Sequence, residues 1–361
     1  MNSQKKLALM GGFVAGAALG AATAAWRDHR QLGQDTAARD EDELDPTGNG
    51  RPPARRCFAE IDGIRMSWLE QGDGAPVVLL HGIPTSPELW RYVMPRLRGV
   101  RVLAWEMVGY GVSIAEGEGR DISVARQAEY LASWMRHLGI DRAVIAGHDL
   151  GGGVAQIAAI RHPELCGGLF LTNAIGYDSW PIPSVKMIKA SAGLMRKLPG
   201  AMFKLLLMNL FARGHDDPAK ARAAYAVHGD NYFGAGGAAA LIRQIEFLNV
   251  RDTLATGDQL PPLGIPARLV WGDADRFQPI EYGKRFSRDL NAPLRTIAGG
   301  KHFTPEDHPD IVAEEIMALV GAVHATDELA SADDFMRHGE TDGSRNLERP
   351  GAGSVRSDDR R

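Results

Sequence analysis

Short apolar runs, each followed by a stretch of helical period, repeat along most of this chain, and that alternation restricts the fold more than any other feature. Residues 76–80 (PVVLL) are apolar without a break, the pattern of a strand buried on both faces. Similar runs occupy residues 100–105, 143–146, 168–172, 267–271 and 294–297, and helical period fills 87–97, 123–138, 152–161, 280–290 and 309–320. Residues 58–62 and 64–69 alternate apolar and polar about Gly63, which predicts an antiparallel hairpin ahead of the rest. Strands joined by helices predict an α/β architecture, a mostly parallel sheet flanked by helices. The alternation breaks once. Residues 175–262 are helix-prone without a convincing strand, which predicts a helical cap inserted after the sixth strand, over one end of the sheet.

The two ends of the chain differ from the domain between residues 57 and 324. Residues 7–26 form an uncharged run of twenty, preceded by Lys5 and Lys6, long enough to span a bilayer as a helix. Gly12, Gly16 and Gly20 recur every fourth residue, which gives such a helix one smooth face. The run is dominated by Ala and Gly, and Ala22-Thr23-Ala24 resembles a signal-peptidase site. Residues 1–30 therefore read as a membrane anchor or a cleaved export signal, with an unstructured extension as the third reading. Either of the first two takes the protein to a membrane or out of the cell rather than leaving it cytoplasmic. Residues 31–56, acidic and then proline-bearing, read as a flexible linker, and residues 325–361 as a disordered tail.

Composition narrows the functional classes. With 361 residues, 44% of them hydrophobic, the chain has material for a sizeable core. A formal net charge of −4 gives no electrostatic footprint for nucleic acid, and the expected partner is a small-molecule substrate. Cys57 and Cys166 match no metal-ligand spacing, and no phosphate-binding glycine loop follows the first strand-to-helix turn. No metal and no cofactor is expected.

Residues 143–146 run into Gly147-His148-Asp149-Leu150-Gly151-Gly152-Gly153 and then a helix. This is the strand–turn–helix context of a nucleophile elbow, with Asp149 where the usual pattern has Ser. Small residues at Gly147 and Gly151 let a strained turn pass close to its neighbours. The helix N-terminus aims N–H groups at the site and favours a carboxylate there. A plain N-cap is the structural alternative for Asp149. Three further segments follow predicted strands: His81-Gly82-Ile83-Pro84, Trp271-Gly272-Asp273-Ala274-Asp275, and Gly299-Gly300-Lys301-His302-Phe303. The order nucleophile, acid, histidine is the order of elbow-type α/β enzymes and weakens the N-cap reading.

On these motifs, residues 57–323 resemble the aspartate-nucleophile branch of the α/β-hydrolase superfamily, the haloalkane dehalogenases and epoxide hydrolases. The resemblance rests on His81-Gly82-Ile83-Pro84-Thr85-Ser86 with Leu89-Trp90, on Gly147-His148-Asp149-Leu150-Gly151-Gly152, and on the eight residues from His302 to Pro309. It implies the α/β-hydrolase fold, Asp149 as nucleophile, His302 as base and Asp275 as the acid orienting it. It also implies the backbone N–H groups of Ile83 and Leu150 as the oxyanion hole. Asp273 is the alternative acid. The family spacing favours Asp275, and Asn173, after the preceding strand, cannot hold a charge.

A carboxylate nucleophile determines the chemistry. Attack on an ester or amide would give a mixed anhydride, whereas attack on a saturated carbon gives an alkyl ester that water can hydrolyse. Two departures from the resemblance matter. Haloalkane dehalogenases usually hold the departing halide with Trp after the nucleophile and Asn or Glu after His-Gly; here Leu150 and Ile83 stand there. Epoxide hydrolases use a phenol from the cap, for which Tyr177, Tyr225 and Tyr232 are candidates, while Trp180 and Trp105 are candidate halide donors. The remaining functional alternatives are an ester or carbon–carbon bond hydrolase of the same fold, and a non-catalytic, membrane-tethered binding domain. His148 is expected to hydrogen-bond within the elbow and Glu106 to anchor its loop. His215 and His228, in the cap, are expected to be exposed, with a position facing the pocket as the alternative.

Overall fold

The computed structural model describes residues 53–339, Ala235 excepted. Residues 1–52 and 340–361, and with them the expected anchor or signal segment and most of the expected linker, lie outside the described residues. Among the described residues no helix is long and apolar enough to cross a membrane.

Eight strands make one sheet: β1 (Arg55–Ile61), β2 (Ile64–Gln71), β3 (Ala75–Leu80), β4 (Val100–Trp105), β5 (Ala143–His148), β6 (Cys166–Thr172), β7 (Ala267–Gly272) and β8 (Leu294–Ile297). The order is β1-β2-β4-β3-β5-β6-β7-β8. β1 and β2 form the predicted hairpin, in which Ile61 faces Ile64 across a two-residue turn. Asp62 and Gly63 there have φ of 52° and 71°, the backbone a primed turn demands. β2 pairs antiparallel to β4, and from β4 to β8 every pairing is parallel. Strand order reverses between β3 and β5, and the open end of such a reversal is where α/β sheets bind ligands.

The helices are α1 (Val124–His137), α2 (Leu150–Arg161), α3 (Pro183–Ala190), α4 (Gly200–Gly214), α5 (Pro218–Phe233), α6 (Gly237–Glu246), α7 (Ile280–Asp289) and α8 (Pro309–Gly339), with short turns between them. The strand period of two divides the core. Val78, Leu80, Ile145, Leu169 and Leu171 pack with α1, α2 and α7 on one face. Val77, Leu79, Val144, Phe170 and Val270 pack with Val312, Ile316 and Leu319 of α8 on the other. The helical segment between β6 and β7 carries α3 to α6.

Two local expectations are corrected. Residues 87–97 do not form an α-helix but two 3₁₀ turns, Pro87–Trp90 and Met94–Arg96. Pro95 lacks the N–H that a continuous helix would need there. Residues 325–339 are not a tail: α8 continues to Gly339, as the Ala, Glu, Leu and Met content of that stretch permits.

Candidate active site

The loops after β3, β5, β6, β7 and β8 meet at one end of the sheet. Asp149 directly follows β5 with φ 51° and ψ −120°, a conformation costly for a residue with a Cβ. It stands at the N-cap position of α2, yet its side chain makes no capping bond. Instead the N–H of Ile83, in the loop after β3, donates to Asp149 Oδ1 at 3.0 Å, and the Leu150 N–H is near enough to favour the charged carboxylate. This approach requires glycine at two places. A Cβ on Gly151 would lie 2.4 Å from the carbonyl oxygen of Leu80, and one on Gly82 would lie 2.4 Å from Asp149 Oδ1.

The His302 ring faces the other oxygen, with Nε2 3.7 Å from Asp149 Oδ2. Its Nδ1 is 2.8 Å from Oδ2 of Asp275, in the loop after β7. Asp275 is buried and further held by the Phe277 N–H at 2.7 Å and by Asn173 Nδ2, which donates at 2.6 Å. Asp273 is exposed and accepts the Gly299 N–H at 2.7 Å, so it caps its loop and does not meet the histidine. Asn173, after β6, thus touches the acid without supplying one; Thr304 Oγ1 donates to its Oδ1 at 3.0 Å.

Electrostatics follow from this burial. Desolvation raises the Asp149 carboxyl above its ordinary range, although the His302 charge and the two backbone N–H groups oppose that. Burial by itself would lower His302, but the Asp275 carboxylate, with Asp149 behind it, outweighs that and raises it. His148, expected to bond within the elbow, instead places Nε2 2.9 Å from the His302 carbonyl oxygen and packs on its ring at 4.7 Å. Its own pKa is driven far down by burial and by the His302 charge, so it is a neutral prop. Glu106 does anchor its loop, accepting from Ser67 Oγ and from the Ser113 N–H, each at 2.9 Å.

Asp149 and His302 open onto a cavity of about 80 Å³, small beside pockets of ~300–1,000 Å³ that hold drug-sized ligands. Its other walls are apolar: Ile175, Trp180, Val185, Leu210, Leu248 and Phe303 among them. Gln278 is the exception. It is 2% exposed, lines the cavity, and its Oε1 meets no hydrogen-bond partner among the described residues. A buried amide left so costs ~1–3 kcal/mol unless a ligand meets it. Sequence reasoning passed over Gln278; its place three residues after Asp275 in the same loop was the available signal.

The aromatic candidates lie elsewhere. Trp180 lines the cavity, but its indole N–H donates to Thr253 Oγ1 at 2.6 Å. Trp105 is fully buried in the core beside Trp134. Tyr177 donates to Asp289 Oδ2 at 2.9 Å, Tyr232 to Gln244 Oε1 at 3.0 Å, and Tyr225 packs on Phe233; none of the three lines the cavity. Among the described residues no group of three His, Cys, Asp or Glu side chains is arranged to hold a metal ion.

His215 and His228 are not exposed but fully buried, in an ion cluster centred on Glu306. His228 Nε2 lies 3.0 Å from Glu306 Oε1 and its Nδ1 3.1 Å from Ser86 Oγ. His215 Nδ1 lies 3.0 Å from Asp307 Oδ1, and its Nε2 is in ionic contact with Glu306 Oε2 at 3.1 Å. Arg91 completes the cluster against Glu306. Burial would raise Glu306, but Arg91 and the two histidines hold it far below the usual carboxylate range. Burial would lower His215, but Asp307 and Glu306 lift it to about 9. The cluster ties the Ile83 loop, the insertion and the His302 loop together, and the Gly214 carbonyl at the end of α4 also accepts the His302 N–H at 2.9 Å.

A family model described as alpha/beta hydrolase fold matches residues 75–204. Haloalkane dehalogenase 2 of Mycobacterium tuberculosis is 28% identical over 283 residues, which cover 75% of this chain and 96% of that protein. Among solved structures, an alpha/beta hydrolase fold protein from Burkholderia ambifaria matches with a TM-score of 0.67 at 26% identity, over 71% of this chain and 95% of that one. Epoxide hydrolase CorEH matches with a TM-score of 0.63 at 25% identity, over 75% of this chain and 99% of that one. The chain therefore has the α/β-hydrolase fold. Within that class it is a hydrolase related to haloalkane dehalogenases and epoxide hydrolases.

The Glu306 cluster predicts a pH-dependent stability. His215, ordinarily near 6.5, is raised to about 9, so its stabilising charge is fully present below about 6.5 and is lost as pH rises through about 9. Thermal melts from pH 6 to 10 should show Tm falling across that window. In His215→Leu the Tm should be lower at pH 6 and flatter above it; parallel curves for the two proteins would refute the assignment.

Proposed function

We propose that this protein hydrolyses a small apolar substrate through an alkyl-enzyme ester on Asp149, the leaving group departing from a saturated carbon. The observation that carries this reading is the Asp149 carboxylate itself: strained, buried, and shared between the Ile83 N–H and the His302 ring at the wall of an apolar cavity. A desolvated carboxylate is a stronger nucleophile than one in water, because no hydration shell must be removed before it attacks. Asp149 attacks the carbon and the bond to the leaving group breaks. His302, oriented by Asp275, then takes a proton from water, which attacks the carboxyl carbon of the ester. The Ile83 and Leu150 N–H groups hold the oxyanion formed in that second step. The helices between β6 and β7 act as a cap, supplying the apolar walls through Val185, Leu210 and Leu248.

The two half-reactions need His302 in different states. Free enzyme carries a negative Asp149 that helps hold the imidazole protonated. Esterification removes that charge, so the His302 pKa falls as its task changes to accepting a proton.

Between the two related activities, carbon–halogen hydrolysis is favoured. An opened epoxide needs a proton for its alkoxide, and no phenol among the described residues lines the cavity. A halide needs only an N–H donor; the orphaned atom of Gln278 is its carbonyl oxygen, so no bond pins the amide, and its Nε2 can turn to the cavity and give one. Trp180, turned to Thr253, takes no part.

Two measurements test this. Short-chain alkyl chlorides, bromides and iodides, set beside terminal epoxides, should give halide release and no diol. Gln278→Leu should lower kcat about ten- to a hundredfold for chlorides and less for iodides, which leave with less help. Diol formation, or equal loss across the halides, would overturn the assignment of Gln278. In histidine NMR titrations His302 should titrate above the ordinary value near 6.5, and Asp149→Asn should shift it down. An unchanged value in the variant would contradict the charge coupling.

A further inference from the structure

Residues 183–214, which hold α3 and α4, contain Lys186, Lys189, Arg196, Lys197, Lys204 and Arg213 and no Asp or Glu. The same stretch exposes large apolar side chains: Met187 at 58%, Leu194 at 70%, Met202 at 46%, Leu205 at 41% and Leu206 at 42%. These are five of ten such residues among the described residues, gathered in about a tenth of the chain. On α4 the pattern is two-sided. Phe203, Leu207 and Phe211 are buried, while Met202, Leu205, Leu206 and Arg213 face out. Such a gathering is not the scatter of a monomer's ordinary surface.

Charge identifies the occupant. Lys189 is engaged with the Leu248 carbonyl, and Arg196 pairs with Glu246 of α6. Lys186 and Lys197 stand exposed beside the apolar residues, and Lys204 Nζ lies over the Phe233 ring at 4.6 Å. Arg196 and Lys204 also line a cleft of about 230 Å³ next to the start of α4, with Phe203, Tyr232 and Phe233. Outward apolar side chains ringed by cations, with a basic cleft alongside, have the composition of a surface that settles into the headgroup layer of an anionic bilayer.

We propose that the outer face of α3 and α4 docks on an anionic lipid bilayer. Val185 and Leu210 of these helices line the Asp149 cavity, so docking holds the cavity one helix layer from lipid, where apolar substrates concentrate. The surface is built from residues 183–214 alone, and the proposal holds whichever reaction the site runs.

The full-length chain tests it, in a Cys57→Ser background that leaves only the buried Cys166. An environment-sensitive fluorophore on Leu205→Cys should shift to the blue with phosphatidylcholine vesicles containing phosphatidylglycerol, and not with phosphatidylcholine alone. The same label on Arg98→Cys, an exposed position before β4, should not shift. In cosedimentation, Lys186→Glu and Lys197→Glu should each lower partition onto the anionic vesicles at least about fivefold, the effect of one surface cation near such a membrane. Because both side chains are exposed, these variants should keep the parent's Tm. An unshifted probe at 205, equal shifts at 205 and 98, or unchanged partition in both charge variants would overturn the proposal. So would a change of oligomeric state in place of a change in vesicle binding, since a second copy would then be what covers the face.

Discussion

Everything at this site depends on a carboxylate buried at a turn that the backbone adopts only under constraint. Asp149 at φ 51° is tolerated because β5 and α2 continue on either side, and because Gly151 and Gly82 let the β3 loop close to within hydrogen-bond distance. The same closure desolvates the carboxylate and raises its pKa, and only the His302 ring and two N–H groups offset that cost. Removing any of them would leave a buried charge without enough partners. Geometry and reactivity are here one constraint.

A second buried charge system makes the first one rigid. Glu306 joins Arg91 and Ser86-bound His228, beyond the Ile83 loop, to His215 at the end of α4, and it lies four residues after His302. An unpaired charge so deep would be intolerable, so the insertion and the two loops are obliged to assemble together. His302 inherits that order through the Gly214 carbonyl and through Phe303, which stacks on His215 at 4.6 Å. The insertion thus forms one wall of the cavity and also holds the imidazole in place.

Much of the fold was legible in the sequence because its strands are continuous apolar runs that nothing else competes to explain. Six of the eight strands fell where the runs did and β1 and β2 where the alternation about Gly63 put them, with ends moved by one or a few residues. Residues 87–97 were misread because their apolar spacing is helical while Pro95 is not. In the site, Asp149, Asp275 and His302 were legible because each follows a strand in a fixed order. The polar residues of the insertion were not. His215, His228 and the tyrosines sit on helices whose facing depends on tertiary packing. Tyr225 and Tyr232 do share an unbroken α5, through Gly229, but point to Phe233 and Gln244 rather than to Asp149. Gln278 was missed for the converse reason: a glutamine in a loop looks solvated until burial leaves its Oε1 without a partner.

The central claim is that Asp149 forms a bond to the substrate carbon. A single turnover in oxygen-18 water, with enzyme in excess over a substrate it converts, followed by peptide mass analysis, tests it directly. The account predicts label in the carboxyl group of Asp149 and an unlabelled oxygen in the first product molecule. Label appearing at once in product, with none in the peptide carrying residue 149, would mean that water attacks the substrate itself and that this carboxylate serves only as a base.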